Sequence, residues 1–521
     1  MNKRRFVKPI IYILGILLVL LTAGYFIAGA MIRKKVDEAL QALPPSLKIT
    51  YTSLQPSILS GGLVINGLNA RFTPETDSKD AQTHQVSIDR VVLGGIHFFT
   101  LLRSHRLILG SLRVEGVTAN LDDYLLEKKT PLPKMQAPFT DALIDRLELT
   151  GLKVSVARDE KKTLSLEGSL ELDSVHVAEP GDSVQIGGIR FLASTMRYTI
   201  PGADEVIHLS NLELDSKKRL LRLDTLRIRP TMDREEIGRA KGHQVDVFEA
   251  TSEGIAVDDL DVMALMQHRL IADQISIHKN TIHDFRDRRL PIEPGEKAMP
   301  VDGLKGLSVS LRVKKVKIGA TTFEYEEYPQ KGDKTGTMKI FRMTATMEPL
   351  INKPVEGDPA YITMTTEGSL MNSGTVTATT KMPLHKGDPY KVEGAFHELD
   401  VTKLNNPAEN LGKLHLESGM LNSLAFQFVM TDEKATGQII GEYHDLVVDK
   451  LKENSKVDKA KSFALAKFII PKDKDKSLAV SKRTGKVDYK HDPNRYFSYY
   501  LLHSLLVGVK SSFKLGFLLP G

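Results

Sequence analysis

The sequence predicts a mainly β protein: an N-terminal transmembrane helix, then a long twisted antiparallel β-sheet, with few short helices and a C-terminal amphipathic helix. Three observations predict it. Pro9 to Ile32 is 24 residues without a charge. Period-two alternation dominates the stretch 36–449. Helical spacing is confined to Gly94–Leu102, Val257–Leu270 with Asp258 as N-cap, and Asn494–Val509. Helices so few and so widely spaced exclude a doubly wound parallel sheet. Usual strand and turn lengths give about 25 strands.

A helix over 9–32 rises about 36 Å, enough to cross a hydrocarbon core with some tilt. Ala28-Gly29-Ala30 has the small-x-small form of a cleavage site. The apolar run, however, exceeds the roughly 7–15 residues of a secretory h-region, which favours an uncleaved anchor. Cations flank the span on both sides: Lys3, Arg4, Arg5 and Lys8 before it, Arg33, Lys34 and Lys35 after it. The short tail 1–8 is therefore placed in the cytoplasm on length, with the body outside.

Charge sorts the partners. The net charge of +6 comes from the two ends. Residues 1–35 carry +7, the Lys-rich segment 450–490 carries +8, and residues 491–521 carry +2. Subtracting these leaves 36–449 at −11. An acidic body disfavours a nucleic-acid groove, whereas basic ends beside apolar segments suit an anionic membrane surface. A hydrophobic content of 41% excludes a mostly disordered chain. Cysteine is absent, so disulfides and thiolate chemistry are excluded.

Three ten-residue segments share one pattern: LVINGLNARF (63–72), LRVEGVTANL (112–121) and LELTGLKVSV (147–156). Apolar residues occupy positions 1, 3, 6, 8 and 10, with Gly67, Gly116 and Gly151 at position 5. In a regular strand the first two would face away from the last three. A one-residue irregularity at the glycine restores the phase and puts all five on one face. The alternative is a set of unrelated sandwich strands with turns at glycine; matching at every apolar position favours the repeat. Looser copies occupy 221–230, 275–285 and 316–325. Loops are expected at Thr73–His84, Glu127–Pro138, Pro201–Glu205, Pro291–Pro300, Pro329–Gly336 and Asn352–Pro359.

The search for chemistry returns little. HExxH, GxSxG, GxGxxG and P-loop sequences are absent. The most ligand-like group is His278, His283, Asp284 and Asp287, but on a regular strand the two histidines point to opposite faces. Glu324 and Glu326 share a strand face, as an acid/base pair would, and equally as a solvated face would. The reading therefore assigns no catalytic residue, no metal and no cofactor. At the C-terminus, Asp492-Pro493 has the form of a helix start. Tyr496, Phe497, Tyr500, Leu501, Leu505 and Val509 then form an apolar face. The uncharged run 496–509 is too short to span a bilayer.

Several stretches resemble the AsmA-like family of bacterial envelope proteins, related to TamB and the bridge-like lipid-transfer proteins. They are SLQPSILSGGLVINGLNARF (53–72), the strand–short helix–strand segment 86–121, FRDRRLPIEPGEKAMP (285–300) followed by 316–336, ATGQIIGEYHDLVVDKL (435–451), and VDYKHDPNRYFSYYLLHSLLVGVKSSFKLG (487–516). The resemblance covers most of the chain and points to an uncharacterised branch. It implies a single-pass bacterial inner-membrane protein with a periplasmic body, an elongated U-shaped β-groove over 36–449 that is apolar inside. It also implies support of the outer membrane by shielding or conducting phospholipid acyl chains. Ile65, Val114, Leu149 and Val154 are then candidate lipid-facing positions. The alternative is an assembly or scaffold factor that binds envelope proteins; a polymer hydrolase is a more distant one. The chain is expected to stay membrane-bound with residues 1–35 attached, and N-terminal sequencing that starts after Ala30 would contradict this.

Overall fold

The computed structural model describes residues 47–57, 62–72, 84–97, 100, 103–104, 106–122, 141–158, 161–178, 184–200, 202–452, 456–464 and 481–512. The anchor reading at 9–32, the loop at 127–138 and the tail from 513 lie outside them. Among the described residues no helix is long and apolar enough to cross a membrane. The chain is mainly β, with 21 strands among the described residues. It divides into two compact units, Met1–Thr225 and Leu226–Gly521.

Unit 1 holds β1 (Leu47–Thr50), β2 (Ser53–Ser57), β3 (Gly62–Phe72), β4 (His84–Gly94), β5 (Arg106–Asp122), β6 (Asp141–Arg158), β7 (Lys161–Ala178), β8 (Val184–Thr199) and β9 (Glu205–Asp215); β10 (Leu220–Pro230) carries the boundary. β1 and β2 both pair with β3, and β3 to β8 each pair with the next strand. All these pairs are antiparallel except β5–β6, which is parallel. The antiparallel expectation is corrected here to a mixed sheet. Alternation reports which face a side chain takes and carries no sign of strand direction. A parallel neighbour needs a long crossover, and β5 is separated from β6 by residues 123–140.

Gly67, Gly116 and Gly151 have φ of +62°, +68° and +62°. The registers show their effect. Asn66 pairs with Arg90 and Leu68 with Ile88, so Gly67 and Asp89 are passed over together. Glu115 pairs with Arg90 and Val117 with Ile88, which passes over Gly116 opposite Asp89. Gly116 in turn lies beside Gly151, whose added Cβ would sit 3.4 Å from the Gly116 backbone. Each strand therefore takes its extra residue at one common level. The five apolar positions of all three repeats are buried on one face, from Leu63 to Phe72, Leu112 to Leu121 and Leu147 to Val156. β4 achieves the same shift at Asp89 without a glycine: Val86 and Ile88 before it and Val91 and Leu93 after it are all buried.

The opposite face of unit 1 carries a ladder of ion pairs. Arg90 meets Glu115 at 3.8 Å, Arg113 meets Glu148 at 2.8 Å, Arg146 meets Glu171 at 3.5 Å and Arg190 meets Glu213 at 3.6 Å. The arginines are about half exposed, so solvent screens the pairs and each adds little to stability. The ladder's main effect is to keep this face wet while the other is dry.

Unit 2 runs α1 (Arg234–Lys241), β11 (Asp246–Asp258), α2 (Val262–Met266), β12 (Arg269–Asp287), α3 (Pro300–Lys305), β13 (Ser310–Tyr328), β14 (Gly336–Glu348), β15 (Leu350–Ile351), β16 (Tyr361–Leu370), β17 (Gly374–Pro383), β18 (Tyr390–Asp400), α4 (Asn405–Gly412), β19 (Leu414–Met430), β20 (Lys434–Lys450), α5 (Lys459–Ala464), β21 (Ser481–Lys490) and α6 (Phe497–Ser512). Neighbours pair in chain order, β15 joining β13 and β16 joining β14. The β12–β13 pair is parallel and the rest are antiparallel. β21 pairs only with β20 among the described residues, and its Lys482, Lys486 and Lys490 suit an edge strand.

Two predicted helices are corrected. Val257 and Asp258 finish β11, and the expected helix 257–270 shrinks to α2. Its cap is Asp261, whose side chain accepts from the Ala264 N–H at 2.8 Å, while the Asp261 N–H is held by the Ile271 carbonyl of β12. Asp492 does not cap α6. It accepts from the Asn494 N–H at 3.0 Å in a turn, and the helix begins at Phe497.

The positive φ at the repeat glycines makes a β-branched residue costly there. Gly116→Val and Gly151→Val should each destabilise unit 1 by about 1–3 kcal/mol. Denaturant midpoints equal to wild type would contradict this.

Candidate functional site

The sheet of unit 2 has two chemically different faces. Register aligns Ile277, Ile318, Ala345, Thr366, Ala378, Gly394, Phe426 and Ile439 in one row across eight strands. Two residues further along, Met347, Met364, Thr380, Val392 and Phe428 continue the same face. The residues between them are Thr346, Thr365, Thr379, Glu393 and Gln427, which face the other way. A shallow depression of about 300 Å³ is lined mainly by threonines, and a second, of about 410 Å³, by Ser276, His278, Lys317, Thr344 and Thr346 with Gly254 and Gly319.

Part of the apolar face is covered. Ile362, Met382, Tyr390, Phe428, Met430 and Ala435 form a buried core with Met299 and Val301 at the start of α3 and with Tyr500 of α6. Met347, Met364, Ala378, Phe396 and Leu424 pack against that core but stay partly exposed. The apolar face thus runs from a closed end to an accessible one.

α6 closes the covered end through its small residues. Tyr500, Ser504, Gly508 and Ser512, four apart, form its buried line. A Cβ at Gly485 of β21 would fall against the Gly508 carbonyl, so helix and strand approach backbone to backbone. Tyr500 is 1% exposed, its hydroxyl donates to the Thr431 carbonyl at 3.0 Å, and its ring stacks on His491 at 4.3 Å. Burying such a ring stabilises by about 2–3 kcal/mol.

Along β12 and β13 the same face turns polar. Asn280 donates to the Thr321 hydroxyl at 3.1 Å, and Thr321 lies opposite Met343. Beyond them Arg286 forks onto Asp246, Arg288 donates to Glu327 at 2.9 Å, and the Tyr325 hydroxyl also donates to Glu327. Burial and the nearby Glu327 carboxylate push the Tyr325 hydroxyl well above the ordinary phenol range. Burial works against the Arg286 charge, but Asp246 outweighs it and holds the guanidinium protonated. Burial, reinforced by Asp246, pushes Asp284 up to about 7.

The other face of these strands carries a separate ion cluster. Donor atoms of His283, Glu324 and Glu326 lie within 4.8 Å of one another. A guanidinium fills the group: Arg234 Nη1 is 2.8 Å from Glu326 and 3.2 Å from His283 Nε2. Burial opposes the Glu326 charge, yet Thr335 and the Arg234 fork keep its carboxyl below its usual value. Glu324 is taken by Lys339 at 2.8 Å. The two glutamates are thus ion-pair partners of different cations. His278 sits apart, exposed, between Gly254 and Gly319, while Asp287 holds Arg289.

The other sequence candidates fall as follows. Ile65, Val114, Leu149 and Val154 are 1, 0, 0 and 6% exposed, covered within the chain. Phe497, Leu501, Leu505 and Val509 flank the buried line of α6. Tyr496 is corrected: it precedes the helix, is 38% exposed and lies over the Arg286 guanidinium at 5.5 Å. The small-residue line of α6 and the Asp246–Arg286 pair were missed. The first was legible as small residues four apart; the second joins partners 40 residues apart and had no local signal. No protein-family model matches the chain, and no curated protein matches it.

Because Gly485 leaves no room for a side chain, Gly485→Leu should displace α6. Limited proteolysis should then cut within 497–512 at least about tenfold faster than in wild type, as a clash worth over about 1.4 kcal/mol requires. An unchanged cleavage rate would contradict the close packing.

Proposed function

We propose that the chain is a non-enzymatic, inner-membrane-anchored envelope protein whose body shields or conducts phospholipid acyl chains on the apolar face of its sheet. One observation carries this reading: the partly exposed patch of Met347, Met364, Ala378, Phe396 and Leu424, continuous with a buried core on the same face. An apolar sheet face is stable in water only against a partner layer or an apolar ligand. Methionines suit such a ligand because their unbranched, polarisable chains adapt to mobile hydrocarbon. The uncharged 9–32 segment supports the anchor, and the AsmA-like resemblance supports a periplasmic, groove-shaped body.

The test belongs on the accessible patch. Met364→Asp and Phe396→Asp place a charge where hydrocarbon would lie, at a cost of several kcal/mol if the ion stays buried. Thr379→Asp, on the opposite face, is the control. Phospholipid retained by the purified full chain should fall severalfold in the first two variants and stay unchanged in the third. Equal retention in all three, with folding intact, would overturn the reading.

A further inference from the structure

We propose that Asp284 is a proton-held clasp: while its carboxyl is neutral, the segment 493–504 closes over the charged end of the apolar face, and ionisation of the carboxyl loosens that segment. The inference goes beyond the lipid reading and holds whatever the apolar face binds.

The argument starts from the charges that meet there. β11 contributes Asp246, β12 contributes Asp284 and Arg286, and β13 contributes Glu327 and the neutral Tyr325. The connection after β12 adds Arg288. Three acids therefore face two guanidinium groups, and both are already engaged. Arg286 is forked on Asp246, and Arg288 donates to Glu327. Asp284 is 8% exposed, and its Oδ1 has no hydrogen-bond partner.

The cations of the covering elements are directed at other groups. Lys297 in the connection is paired with Glu293. Arg495 donates to Gln244 at 3.2 Å and lies near Asp492. Burial holds His503 of α6 below its usual value, which favours its neutral form. An ionised Asp284 would thus be an uncompensated buried charge beside two carboxylates.

Hydration relieves that charge, at the cost of the contacts by which the first residues of the segment hold the site. The Lys297 N–H donates to the Pro493 carbonyl at 2.8 Å, and Tyr496 spans Arg286 and Lys297 with its ring. Closed, the Asp284 carboxyl titrates at about 7. Opened to water, it returns to the ordinary value near 4. The closed state binds more protons between these values, so rising pH favours opening by up to about tenfold per pH unit. The effect levels off above pH 7, where both states are ionised.

Hydrogen–deuterium exchange of the full chain in detergent from pH 5 to 8, corrected for intrinsic rates, tests this. Amides of 494–504 should lose protection as pH rises from 5 to 7, by up to about tenfold per unit, and then level off. Asp284→Asn should keep them protected with no slope. Asp246→Asn, which frees Arg286 for Asp284, should move the slope to lower pH, and serves if the first variant does not fold. A flat wild-type profile, an Asp284→Asn profile with the wild-type slope, or an unmoved Asp246→Asn profile would each overturn the clasp.

Discussion

The fold depends on one constraint: the parity of each strand. A residue inserted into one strand turns every later side chain to the other face. The neighbours can follow only if they insert at the same level. Gly67, Asp89, Gly116 and Gly151 do this across β3 to β6. The glycines accept positive φ, which a residue with a Cβ adopts at a cost. The apolar side chains above and below the level then share one dry face, and the ion-pair ladder has the other to itself. In β11 to β13, Gly254, His278 and Gly319 are passed over in the same way.

A sheet with one dry face must be covered, and unit 2 shows both how far its own chain goes and where it stops. α6 covers by proximity, its small residues resting against Gly485. α3 adds Met299 and Val301. Beyond them the apolar patch remains partly open. The polar end of β12 and β13 lies on the same face, which therefore carries both hydrocarbon-like surface and buried charge.

That charged end is costly, and it is arranged as such sites must be. Each guanidinium has its carboxylate, and the one acid left over avoids its charge through a raised pKa. On the reverse face the His283 cluster is neutralised by Arg234, which occupies the position a cation would take. The chemistry of unit 2 therefore concentrates on ordering and covering a surface.

Much of this was legible locally. Alternation revealed the β class, and the spacing of apolar residues around Gly67, Gly116 and Gly151 revealed the phase shift, because both are properties of single strands. The C-terminal helix was legible from its three-and-four spacing, though not its start, since Asp492 caps a turn instead. Strand direction was not legible: period two is the same either way along the chain, and only the crossovers after β5 and β12 set the parallel pairs. Nor were the matched shift at Asp89, the Gly485–Gly508 contact or the Asp246–Arg286 pair. Each depends on which residue of a distant segment comes opposite, and register across strands is decided by the assembled sheet.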